Sequence, residues 1–147
     1  MQGDIVEPLA WHERWAPTML SLLRVAAGLL FLTHGTQKLL GYPAPSEFGI
    51  VPLFGLMGFA GILELVGGIL LTVGLFTRSV AFILSAMMAV AYFMVHAPMG
   101  FYPILNKGEL AVLFCFNFLL LSVVGAGKWS VDHVFFGRFK QQVTRHT

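Results

Sequence analysis

The chain has 147 residues, 57% of them hydrophobic and 11% charged, with a mean hydropathy of +0.80 and a formal net charge of +2. A soluble globule of this composition would lack polar surface, so the class is integral membrane protein, and the length suits one domain over 1–147. Nucleic acid is excluded as a partner, because the few basic residues lie at the ends and in loops and form no basic face.

In chain order, residues 1–16 carry Asp4, Glu7 and Glu13 rather than a basic cluster, with no small-x-small cleavage site nearby. This does not read as a cleavable signal, so the first helix is expected to stay in the mature protein. Trp11 and Trp15, four apart, suit a short interfacial segment. Apolar runs of the length a bilayer needs follow at about 17–40, 54–75, 79–97 and 108–126. Pro17 suits the first turn of the first span. Pro43, Pro45 and Pro52 forbid continuing that helix through the next loop. A short turn at 76–78 makes spans two and three antiparallel neighbours. Residues 127–147 form the last segment, and Val131, Phe135, Phe139 and Val143 recur within it at helical spacing, as in a helix lying on the membrane surface. The fold class is therefore all-α: an integral membrane four-helix bundle with short interfacial segments at each end.

Orientation follows from the basic residues. Arg14, Arg78, Lys128, Arg138, Lys140 and Arg145 share one side and Lys38 and Lys107 the other, which places both termini of a multi-pass membrane protein in the cytoplasm.

The spans are interrupted by residues that lipid does not tolerate: Arg24, His34 and Lys38 in the first, Glu64 in the second, His96 ending the third, Glu109 opening the fourth and Asn117 within it. A charged side chain at bilayer depth costs at least about 2.5–3.5 kcal/mol, so such groups normally face a partner, a cavity or a ligand. Arg24, Gly28, Phe31, Gly35 and Lys38 form one helical stripe, and the glycines of span two offer a matching close-packing surface around Glu64. An Arg24–Glu64 contact is sterically reasonable, and the two form a structural polar pair or network with Asn117 and Tyr92. His34, Lys38, Glu64, His96 and Glu109 are the candidates for ligand binding or proton relay, in a polar pocket in the outer half of the bundle. Each has a structural reading beside the functional one. Arg24 and Glu64 suit a packing pair, while Lys38 and Glu109 lie near helix ends from which they reach water. His34 and His96 are a slender basis for haem, no metal motif is present, and catalytic residues cannot be assigned. The lone Cys115 permits neither an intramolecular disulfide nor a dithiol relay, which excludes quinone-linked disulfide-forming enzymes.

The run from Arg24 through Gly28, His34 and Gly35 to Lys38 carries a family likeness, together with Gly61-Ile-Leu-Glu64 and Gly67-Gly68. Gly74-Leu-Phe-Thr77-Arg78, His96, Gly108-Glu109 and the segment from Gly125 to Asp132 complete it. In this order and spacing they resemble the DoxX family over about residues 20–132. The resemblance implies a small four-helix bundle of the bacterial cytoplasmic membrane. It also implies association with redox systems: quinol oxidase and thiosulfate:quinone oxidoreductase subunits, and a mycobacterial complex with superoxide dismutase and a sulfurtransferase. The leading expectation is therefore a quinone-linked or redox-complex membrane subunit. With no nucleotide loop or thiol pair of its own, it would depend on oxidoreductase subunits or a bound quinone for electrons. A proton-coupled transporter acting as a homo-oligomer and a structural membrane anchor are the alternatives.

Overall fold

The computed structural model describes residues 7–46 and 49–135. Four helices follow one another: α1 (Glu7–Leu40), α2 (Leu56–Val73), α3 (Thr77–Ala91) and α4 (Glu109–Val124). No strand is present among the described residues. After α3 the chain stays helical through a wide π turn, Tyr92–His96, and a 3-10 turn, Ala97–Met99. Residues 131–135 begin a further helical turn. The rest of the expected surface helix, with Phe139 and Val143, lies outside the described residues.

Three helical runs are long and apolar enough to cross a membrane: Trp11–Leu40, Leu56–Val73 and Thr77–Met99. Two details differ from the sequence reading. Pro17 lies well inside α1 rather than in its first turn. Glu7 to Ala16 are mostly competent helix formers, and the Pro17 carbonyl is occupied by the Ser21 hydroxyl at 2.8 Å and the Lys128 N–H at 3.2 Å. The last helix is also shorter than 108–126. Its 16 residues span only about 24 Å, because Gly125 at φ 100° turns the chain away.

The helices pack as two intimate pairs, α1 on α2 and α3 on α4. The pairs are joined mainly through α2 and α3, while α1 scarcely meets α4. Lipid supplies no hydrophobic drive between helices, so close backbone approach has to supply dispersion instead. Gly35 lets α2 come so near that a Cβ there would sit 2.5 Å from the Leu65 amide nitrogen, and one on Gly68 would sit 2.7 Å from that of Leu32. This antiparallel register sets Gly28 against Gly68 and Thr72, and Gly35 against Gly61 and Leu65. Between the pairs, Phe31, Phe114 and Phe118 meet edge-on or stacked at 4.9–5.5 Å, beside Leu71, Leu84 and Leu121. The centre of the bundle is mainly apolar, with the buried Ser85 hydroxyl donating to the Cys115 carbonyl at 2.8 Å. Most of the other polar groups lie towards the two ends: the turn end, at the α2–α3 turn, and the loop end, under the 41–55 and 100–108 loops.

Candidate functional site

At the loop end, the helix register brings Lys38 beside Gly61, whose position would put a Cβ 3.4 Å from the Lys38 Cβ. From there the lysine reaches one turn deeper along α2, and its Nζ meets Glu64 Oε1 at 2.5 Å. Glu64 is 3% exposed and Lys38 18%, so the pair sits largely out of water. The second carboxylate oxygen, Oε2, is buried without a hydrogen-bond partner. His34, one turn below Lys38 and half-buried, sets its ring edge-on to Phe114 of α4 at 6.1 Å. The loop folds back over this corner, where the Val51 N–H donates to the Lys38 carbonyl at 2.9 Å.

His96 belongs to a second cluster. Its Nδ1 lies 3.0 Å from the Asn106 carbonyl oxygen, and its ring stacks beside Tyr92. Asn106, 1% exposed, donates to the Gly100 carbonyl at 2.7 Å and accepts the Gly108 N–H at 2.8 Å. It thereby holds the 100–108 loop against the end of α3. Glu109 is exposed in the first turn of α4, where a carboxylate favours the helix dipole. Asn117 is half-buried, and its Oδ1 has no partner. The loop-end residues thus form two hydrogen-bonded clusters rather than one network: Lys38–Glu64 with His34 close by, and Tyr92–His96–Asn106. Among the described residues no group of three or more His, Cys, Asp or Glu could hold a metal ion.

Arg24 does not pair with Glu64. Matched against α2, Arg24 stands level with Gly74, ten residues and about 15 Å beyond Glu64. Completely buried, it donates to backbone carbonyls instead: Nε to Ala126 at 2.8 Å, Nη1 to Thr72 at 2.8 Å and to Leu71, and Nη2 to Trp129 at 2.5 Å. Leu71 and Thr72 are in the last turn of α2, whose unsatisfied carbonyls a cation stabilises. One guanidinium therefore caps α2 and ties down the segment after α4. Gly74 makes room for it by ending α2 at φ 73°, where a Cβ would lie 2.9 Å from the guanidinium carbon.

Two residues with clear roles escape a sequence reading. Asp132 accepts the N–H groups of Phe76 and Thr77 at 2.8 Å each, capping α3 from 55 residues away. A local capping residue would have been legible, whereas a distant one is not. Asn106 did leave a signal: an Asn two residues before a helix-opening Gly suits an Asx turn.

Chemically, the Arg24 site has its donors matched to backbone acceptors. The Lys38–Glu64 site holds a donor at its water-facing side and a spare acceptor at its buried side.

Comparison with known proteins agrees with this architecture. The DoxX family model matches residues 19–97. An uncharacterized protein of Haemophilus influenzae is 44% identical over 132 residues, covering 84% of this chain and 96% of that one. The inner membrane protein YqjF of Escherichia coli is 26% identical over 121 residues, covering 76% of this chain and 87% of its own. No solved structure matches significantly. The matched segment holds Arg24, His34, Lys38, Glu64 and His96, together with the glycine-notched α1–α2 pair, and the chain belongs to the DoxX family of multi-pass inner-membrane proteins.

Proposed function

We propose that this protein is a membrane subunit of a redox system and that its loop-end site, at Lys38 and Glu64 beneath the 41–55 loop, binds the polar head of a quinone-like molecule. The supporting observation is the half-satisfied carboxylate of Glu64: Oε1 is held by Lys38, while Oε2 is buried and unpartnered. An orphaned buried acceptor costs about 1–3 kcal/mol, a cost that a hydroxyl donor such as a quinol would relieve. Lys38 in turn offers N–H donors to a carbonyl, and His34 supplies an imidazole one turn away. Both termini face the cytoplasm in this reading, so the site opens on the outer leaflet, and electrons pass to or from an oxidoreductase partner.

Titrating the detergent-solubilised protein with a short-chain ubiquinol analogue tests this. Saturable binding is expected, weakened about tenfold by Glu64→Gln, as loss of one charge-assisted hydrogen bond predicts. A wild-type protein without saturable binding, or a folded Glu64→Gln protein that binds equally, overturns the proposal.

A second reading rests on the position of Glu64 at the middle of α2, where membrane acids serve proton relays. In that case an oligomer conducts protons through Oε2, and proton flux in liposomes falls in Glu64→Gln. Equal flux in variant and wild type removes this reading.

A further inference from the structure

At the turn end the bundle leaves a groove. Because α1 packs on α2 and α4 on α3, the turn-end halves of α1 and α4 stay apart, and a cavity of about 1510 Å³ lies between them. Small-molecule pockets run to roughly 300–1,000 Å³, so the space exceeds a headgroup alone. Its walls are apolar: Leu20 and Leu23 of α1, Leu120 and Val124 of α4, and Phe76. Four of these, Leu23, Phe76, Leu120 and Val124, are exposed, so the groove opens sideways towards hydrocarbon.

Its polar rim carries Arg78, Ser79 and Lys128. Arg78 and Lys128 are exposed. The Arg78 guanidinium lies beside Gly125, and its one weak backbone bond, to Val124, is 3.5 Å long, so most of its donors are uncommitted. Asp132 also lines the groove, but both of its oxygens are occupied by the Phe76 and Thr77 amides. The rim is therefore net positive. An apolar slot between membrane helices, flanked by two basic side chains, is matched by an anionic headgroup on an acyl chain.

We propose that this groove is a binding site for one anionic phospholipid, with its chain along α1 and α4 and its phosphate on Arg78 and Lys128. The site is independent of the loop-end cluster. Native mass spectrometry of the delipidated, detergent-solubilised full chain provides the test, using phosphatidylglycerol and phosphatidylcholine at equal concentration. One phosphatidylglycerol is expected to be retained with about tenfold preference, the order that two basic residues supply. Combining Arg78→Gln with Lys128→Gln should reduce that preference to within about twofold, while Arg14→Gln, at the same end but outside the groove, should leave it unchanged. Leu23→Trp, which fills the slot, should lower retention of both lipids. Equal retention by wild type overturns the proposal even if the double variant fails to fold. It is also overturned by an undiminished preference in the folded double variant, by a second protein copy retained in place of lipid, or by lipid binding that appears only after removal of residues 136–147.

Discussion

The two ends of the bundle each hold a cation supplied by α1, and they accommodate it differently. At the turn end, Arg24 spreads its charge over four backbone carbonyls from two segments. At the loop end, Lys38 meets a single carboxylate, Glu64, and leaves that carboxylate half satisfied. The difference follows from the chemistry of the two cations. A planar guanidinium with five N–H donors serves several carbonyls at once, whereas an ammonium is a compact charge that one counter-ion answers. A fully matched group fixes structure. A partly matched one remains available for chemistry, and that contrast is what substitutions should break or sharpen.

The largest effect is expected at Arg24. Arg24→Leu removes the side-chain donor from the Leu71, Thr72, Ala126 and Trp129 carbonyls and loosens the 125–132 segment, at a cost of about 3–5 kcal/mol in a denaturant titration of the detergent-solubilised protein. Arg24→Lys should recover little of this, because an ammonium does not reproduce the fork. A neutral Arg24→Leu would mean that the carbonyl cage contributes nothing.

Glu64→Gln comes next, at about 2 kcal/mol, since it strands Lys38 at the membrane edge, where the lysine retains some access to water. Joining it to Lys38→Met should recover part of that loss, and a double-mutant cycle should show a coupling of about 0.5–3 kcal/mol. A cycle carried out with Arg24 in place of Lys38 should give no coupling, since the two sites lie about 15 Å apart along the bundle. Substantial Arg24–Glu64 coupling would restore the pair that the structure separates.

Gly35→Ala should cost about 1–3 kcal/mol by pushing α1 from α2, because the added methyl meets backbone that cannot swing aside. It should also loosen the Lys38–Glu64 pair, which depends on the same register. The smallest effect, about 1 kcal/mol, is expected for Asp132→Ala, measured by the same titration. That change removes one helix cap and leaves the Arg24 carbonyl bonds in place.

Much of the architecture could be read from the amino-acid order. The apolar runs, the prolines of the 41–52 loop and the short turn before Arg78 located the helices to within a few residues, since bilayer thickness and backbone hydrogen bonding admit few solutions. The larger error was Pro17, which the sequence places in a first turn and the structure places inside α1. Good helix formers upstream let the helix begin ten residues earlier. The candidate residues were also legible as individuals, because charge within a hydrophobic run stands out.

Their partners were not legible in the same way. Arg24 finds carbonyls, which every residue possesses and no letter of the sequence marks. Asp132 caps a helix 55 residues distant, and Lys38 pairs with Glu64 rather than lying free because of a register set by Gly35, Gly61 and Gly68. By itself, then, the sequence determined the membrane, the spans and the identity of the polar groups within them, since those depend on composition and local periodicity. Only the tertiary structure decided which of those groups meet, because an antiparallel helix pair one turn out of register would give the same hydropathy and a different site.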